Sequence, residues 1–222
     1  MNKIINFHEV NDSEWMERVL VYLKGKYKMI SSEDLESYFF KNHKINNFCH
    51  ITIDDGDKTF YNITYPLLKK HYIPATIFVS PHIITTKENF WFQEIRYFDD
   101  LNFKKIIAEY LSMEYDEIRE YSIMHICKML RLQNIFKLIE IYKNRYQVRR
   151  RDSLNLNVEQ IKDILSDGLV SIGAHTLNHP VLSNEDDQIS EMEICGSING
   201  LKDLLGCEIK YFAYPNGIPE FD

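Results

Sequence analysis

Short runs of β-branched and aromatic residues alternate along the chain with longer segments in which apolar residues recur every three or four positions. Five runs predict strands, each followed by polar or turn residues: 3–7, 50–53, 75–80, 169–173 and 209–213. Residues 27–30 are a weaker sixth candidate. Strands that alternate with helices of this length predict an α/β protein with a parallel sheet, in which all strands end on one side.

Capping residues predict where several helices begin and end. Ser32 is the expected N-cap of a helix to residue 40, and Pro74 stops a helix over 59–71. Ser183 precedes an acidic first turn, and Gly206 closes the helix that follows. These helices are expected to pack on the sheet.

Residues 86–155 break this rhythm, because some seventy residues pass without a convincing strand while apolar residues recur at helical intervals. This pattern predicts a helical insertion. We favour extra helices packed against the rest of the fold, and a lid or a recognition surface is the alternative. The chain has no internal repeat and no Gly/Ser linker, so residues 1–222 are expected to form a single domain.

Composition and charge exclude several classes of protein. With 45% hydrophobic residues in 222, the chain can bury a sizeable core, which excludes disorder. A net charge of -7 disfavours a nucleic-acid partner. No apolar stretch approaches the ~18 residues of a transmembrane segment. Four cysteines without CxxC spacing and no visible signal peptide lead us to expect a reduced, cytoplasmic protein.

Two adjacent carboxylates, Asp54 and Asp55, follow the predicted strand 50–53 and precede Gly56. Neighbouring side chains diverge at a strand end, so one carboxylate can bind a metal while the other accepts a proton from water. Taken alone, the motif is better explained as a tight turn with an N-capping Asp.

Two histidines, His175 and His179, follow another apolar run and are four residues apart. Two imidazoles and one carboxylate suit a divalent metal with open water sites. The other histidines are more simply surface or core residues. A phosphoryl-transfer site using magnesium is disfavoured, since imidazoles suit softer metals and no phosphate-cradling glycine loop is present.

A third segment, Tyr211-Phe212-Ala213-Tyr214-Pro215-Asn216-Gly217, ends the last predicted strand. Its backbone N–H groups can stabilise an oxyanion, and Tyr214 can line a ligand site. The simpler explanation is a strand-terminating turn.

Together these motifs resemble the polysaccharide deacetylases of carbohydrate esterase family 4, the NodB-homology domain. Thr52-Ile53-Asp54-Asp55-Gly56 is similar to the family's Thr-Phe-Asp-Asp-Gly, and His175-Thr176-Leu177-Asn178-His179-Pro180 to its His-Ser/Thr-x-x-His-Pro. Phe212 to Gly217 resembles the Phe-Ala-Tyr-Pro-x-Gly form of its third motif. The resemblance implies a distorted, incomplete (β/α) barrel with a helical insertion, and a hydrolase that removes N-acetyl groups from hexosamine units of a glycan.

The resemblance also implies a role for each matched residue. Asp54 is expected as the general base, and the backbone N–H of Asn216 as the oxyanion donor. A divalent metal is expected, with zinc favoured over cobalt, nickel, iron or manganese. The expected metal ligands are Asp55, His175 and His179, and the expected substrate-binding residues are Tyr214, Pro215, Thr176 and His8. The expected partner is an N-acetylated polysaccharide or oligosaccharide.

The chain departs from the family pattern at two points. Ala213 stands where many members have an Arg that orients the base, and no residue after the third motif matches the histidine that protonates the leaving amine. His8, at the end of the first predicted strand, is one candidate replacement. The alternative function is a glycan-binding or assembly protein that lacks the acid and is catalytically impaired. The missing final strands predict an open barrel edge that another segment or a second copy of the chain covers.

Overall fold

The computed structural model describes residues 1–216 and consists of a parallel β-sheet surrounded by helices. The strands are arranged in the order β1-β3-β4-β5, and β2 pairs with the first residues of β3. Their bounds are Lys3–Phe7 (β1), Lys28–Met29 (β2), Phe48–Ile53 (β3), Ala75–Val79 (β4) and Val170–Ala174 (β5).

Eleven α-helices are found among the described residues, together with a π-helical turn at Phe60–Thr64 and a 3-10 turn at Leu182–Asn184. The first four are Ser13–Lys26 (α1), Ser32–Phe40 (α2), Tyr65–His71 (α3) and Pro81–Thr86 (α4). The next five are Trp91–Ile95 (α5), Asp100–Leu111 (α6), Tyr115–Ile118 (α7), Ile123–Lys128 (α8) and Leu132–Tyr146 (α9). The last two are Val158–Ser166 (α10) and Asp187–Leu205 (α11).

The parallel register places the carboxyl ends of β1, β3, β4 and β5 along one edge of the sheet. Phe7 lies opposite Ile53, Ile53 opposite Ile77, and Ile77 opposite Ile172. All five residues of β4 are buried, as expected of a parallel strand covered on both faces. The predicted α/β class is confirmed, and within residues 1–216 the sheet is open, as the prediction of an incomplete barrel requires.

Three details of the sequence prediction are wrong. Residues 209–213 do not form a strand: a single parallel bridge joins Phe212 to Ala174. The N-cap of α2 is Ser31, whose hydroxyl accepts from the N–H of Asp34, and Ser32 is the first helical residue. Similarly, α11 is capped by Asp186, while Ser183 lies in the 3-10 turn.

The predicted helical insertion is confirmed, since α5 to α9 fall within 86–155 and bury a hydrophobic cluster of their own. Its end returns to the turn after β3. An antiparallel bridge joins Asp57 to Asn155, and the N–H of Leu156 donates to the carbonyl of Gly56 at 2.8 Å.

Among residues 1–216, no helix has the length and apolar character needed to cross a membrane.

Candidate active site

The turn after β3 carries Asp54 and Asp55 and has an unusual backbone conformation. The N–H of Asp54 continues the pairing with β1 by donating to the carbonyl of Phe7 at 3.0 Å. Asp55 and Gly56 then adopt left-handed conformations, with φ of 69° and 71°. A Cβ on Gly56 would lie 2.8 Å from Val79 Cγ1, so both conformation and space require glycine here.

The loop after β5 is held by the hydroxyl of Thr176. This hydroxyl donates to the carbonyl of His175 at 2.6 Å and accepts from the N–H of His179 at 3.0 Å. Thr176 and His179 have φ of 60° and 59°, a region that non-glycine residues enter at a cost of about 1–3 kcal/mol each. Left-handed residues therefore occur in both turns that carry the predicted metal ligands.

Asp55, His175 and His179 converge, with their ligand atoms all within 4.8 Å of one another. Asp55 Oδ1 lies 3.5 Å from His175 Nε2 and 3.4 Å from His179 Nε2. Two ligands at ~2.0–2.2 Å from a tetrahedral ion lie roughly 3.3–3.6 Å apart, so these spacings fit one ion. The three sequence-predicted metal ligands are therefore brought together.

The hydrogen bonds around the three ligands also fit a metal. Nδ1 of His175 donates to the carbonyl of Ala213 at 2.9 Å, which leaves the Nε2 lone pair for coordination. Asp55 Oδ1 is buried and has no hydrogen-bond donor among the described residues. A buried acceptor without a donor is costly, and a bound cation would satisfy it.

Burial and the attraction between the Asp55 carboxylate and the imidazoles shift the pKa values of this cluster in opposite directions. Burial acts to raise the pKa of Asp55, but the imidazoles of His175 and His179 outweigh it and hold that pKa well below its usual range. Burial acts to lower the pKa of His175, but Asp55 outweighs it, and the net shift is upward. The carboxylate is therefore ionised, and protons compete with a metal at His175.

Asp54 is held by Asn6, a residue that the sequence analysis missed. Asn6 Nδ2 donates to Asp54 Oδ2 at 2.8 Å, and the Thr52 hydroxyl donates to Asn6 Oδ1 at 3.1 Å. Nε2 of His8 lies 3.8 Å from the same Asp54 oxygen. Asn6 therefore orients the carboxylate in a chain that has Ala213 where many family members have an Arg.

Glu193, a buried residue of α11, is a second residue that the sequence analysis missed. Its carboxylate accepts from the N–H groups of Leu177 and Asn178 at 2.9 and 2.8 Å, and from Asn178 Nδ2 at 2.7 Å. This places three donors of the histidine loop on one carboxylate. No local signal marks the role, because donors and acceptor are 15 or 16 residues apart in sequence.

A cavity of about 300 Å³ is lined by two of the three predicted metal ligands and by residues of the helical insertion. Its lining includes Asp55 and His179 from the metal cluster, with His8 and Asn216. The insertion contributes the rest: Trp91, Phe92, Arg96, Met124 and Lys128. The insertion also supports His179 itself, since Trp91 Nε1 donates to its carbonyl at 2.8 Å.

The other predicted substrate residues, unlike His8, do not line this cavity. Thr176 is fully buried and does not line the cavity, and its hydroxyl supports the histidine loop; a substrate contact stays a prediction. Pro215 is buried and likewise absent from the lining. Tyr214 is 52% exposed and packs edge-on against Phe212 outside the cavity. Gly217 of the third motif lies outside the described residues.

Comparison with known proteins identifies the family of the chain and supports its fold. The family described as polysaccharide deacetylase matches residues 41–220. A Streptococcus pyogenes deacetylase, PplD, solved with acetate, superposes with a TM-score of 0.58 at 17% identity over 97% of this chain and 73% of its own. IcaB from Ammonifex degensii gives 0.58 at 19% identity, covering 98% of this chain and 75% of its own. A de-N-acetylase from Aggregatibacter actinomycetemcomitans gives 0.58 at 13% identity, covering 98% and 80%. No curated protein sequence matches the chain.

Proposed function

We propose that Asp54, Asp55, His175 and His179 form the catalytic site of this chain, which belongs to the polysaccharide deacetylase family and is a hydrolase that removes N-acetyl groups from hexosamine units of a glycan. The observation that carries this proposal is the convergence of three metal-ligating atoms within 4.8 Å, beside a second carboxylate held by Asn6. The proposed substrate is an N-acetylated polysaccharide or oligosaccharide.

We propose zinc as the ion, with cobalt, nickel, iron and manganese as alternatives for the same ligands. When bound, such an ion polarises the acetamide carbonyl and lowers the pKa of the attacking water. Asp54 accepts the proton of that water, and its bond to Asn6 keeps the carboxylate in place. The backbone N–H of Asn216 donates to the developing oxyanion.

The test of this function is acetate release from an acetylated chitooligosaccharide. We expect release by protein loaded with zinc or cobalt, loss of release after chelation, and recovery when the metal is restored. If metal-loaded protein releases no acetate from several acetylated glycans, the alternative of a glycan-binding or assembly protein is favoured.

We also propose His8 as the residue that protonates the leaving amine. It lines the cavity, and its Nε2 is 3.8 Å from Asp54 Oδ2. A His8→Gln variant is expected to lower kcat on an N-acetyl substrate by about 100-fold. The same variant should lose much less kcat on an aryl acetate ester, because the leaving group of that substrate needs no proton.

The control is His43→Gln, which changes an exposed histidine outside the cavity lining. It should retain wild-type kcat on both substrates. Equal losses on the amide and the ester in His8→Gln would show that His8 is not the proton donor. Full activity of His8→Gln on the amide would exclude the role altogether.

A further inference from the structure

We propose that the cavity beside the metal ligands binds an anionic group of the substrate, a phosphate or a carboxylate borne by the acetylated sugar, through Lys128 and Arg96. This inference rests on the proposed function and narrows its substrate class. Both cations line the same cavity as Asp55 and His179, and both come from the helical insertion. The insertion is thereby a recognition element as well as a set of packed helices.

The charges around the cavity favour an anion. The acidic residue in the lining is Asp55, which is committed to the metal ligands. Arg96 Nη1 is 3.2 Å from Glu9 Oε2, but both side chains are nearly half exposed, so water weakens this ion pair and an anionic ligand can compete with Glu9 for Arg96. Lys128 forms no ion pair among residues 1–216 and is partly buried. With a divalent ion in place, the cavity is electropositive in a chain whose net charge is -7.

The size and walls of the cavity suit one substituted sugar. At about 300 Å³ it lies at the lower end of the range for small-molecule sites. Trp91, Phe92 and Met124 supply apolar surface against which a sugar ring can pack. The anion must therefore be carried on or next to the sugar that loses its acetyl group.

A neutral sugar that entered this cavity would displace water from Lys128 without supplying a negative charge in its place. Partly desolvating a cation without a partner is unfavourable, whereas a charge-assisted hydrogen bond to an anion is among the strong ones. The site is thus expected to discriminate against neutral glycans, in addition to attracting anionic ones.

The experiment compares three substrates: N-acetylglucosamine 1-phosphate, N-acetylmuramic acid and the neutral methyl glycoside of N-acetylglucosamine. We expect kcat/KM to be at least about tenfold higher for one or both anionic substrates, and Lys128→Met to abolish that preference. The two anionic substrates distinguish phosphate from carboxylate recognition. The matched control is Lys105→Met, which changes an exposed lysine of α6 outside the cavity and should keep the preference.

A binding measurement keeps this proposal separate from turnover. Calorimetry with N-acetylglucosamine 1-phosphate and N-acetylmuramic acid on metal-loaded protein should give a Kd at least about tenfold weaker in Lys128→Met than in Lys105→Met for the preferred ligand. Equal Kd values in both variants, or an equal kcat/KM for neutral and anionic substrates, would overturn the anion site. If none of these three monosaccharides releases acetate, the chitooligosaccharide assay decides the proposed function, and calorimetry decides the anion site.

Discussion

Replacing Asp54 with asparagine is expected to lower kcat for acetate release by about 10²- to 10⁴-fold while leaving the bound metal in place. Asparagine has nearly the same shape and its carbonyl can still accept from Asn6 Nδ2, but it cannot take the proton of the attacking water. Metal content per chain and kcat are therefore measured on the same preparation, with KM expected to change little.

The matched control is Asp57→Asn, in the same turn. Asp57 and Asp54 are equally buried, at 9% exposure, but the Asp57 carboxylate accepts from the N–H of Thr59, whereas the Asp54 carboxylate accepts from Asn6 and lies 3.8 Å from His8 Nε2. Asparagine preserves that cap, so kcat should stay close to wild type. An Asp54→Asn protein with wild-type kcat, or one that has lost its metal, would contradict the role of Asp54 as a base separate from the ligands.

The sheet was predictable because it depends on local patterns, and the metal ligands were predictable because their motifs resemble those of a known family. A β-branched run followed by Asp-Asp-Gly specifies a buried strand and a left-handed turn, and β3 with Gly56 has this structure. The parallel register then brings Asp55 and the histidine loop to one edge without further information.

The third motif shows where pattern reasoning failed. Residues 209–213 have the composition of a strand, but only the bridge between Phe212 and Ala174 forms. Pairing depends on a neighbouring backbone as well as on the propensity of the segment itself. The segment nevertheless contributes to the site, because the carbonyl of Ala213 accepts from His175 Nδ1.

Asn6 and Glu193 could not be found from sequence, for a related reason. Each acts on a partner brought near it by the tertiary fold: Asn6 is 48 residues from Asp54, and Glu193 is 15 residues from Asn178. Asn and Glu are common surface residues, so neither stands out in the pattern.

Single-domain organisation, a cytoplasmic location and coverage of the open sheet edge by a second copy all stay predictions.

The neighbouring substitution, Asp55→Asn, should lower acetate release through loss of the metal, whereas Asp54→Asn should lower it with the metal in place. Asparagine tolerates the left-handed conformation at this position, so the turn is expected to fold. It removes the negative charge that attracts the ion, and metal affinity should fall by more than the ~10- to 100-fold that outer-shell changes cost. Acetate release should fall with metal occupancy and recover in part at high zinc concentration.

The pH dependence of metal binding provides a sharper readout of the same variant. In the wild type, Asp55 raises the pKa of His175 against the effect of burial, so the imidazole keeps its proton to higher pH and the apparent metal affinity increases as pH rises through that pKa. Without the carboxylate, burial lowers the pKa of His175, and the rise in affinity should move to lower pH even though the affinity is weaker at every pH. Chelator competition across pH 5–9 (roughly the range over which histidine titrates) measures both effects. A variant with wild-type affinity, or one whose affinity profile keeps its position on the pH axis, would show that Asp55 is neither a ligand nor the group that controls His175.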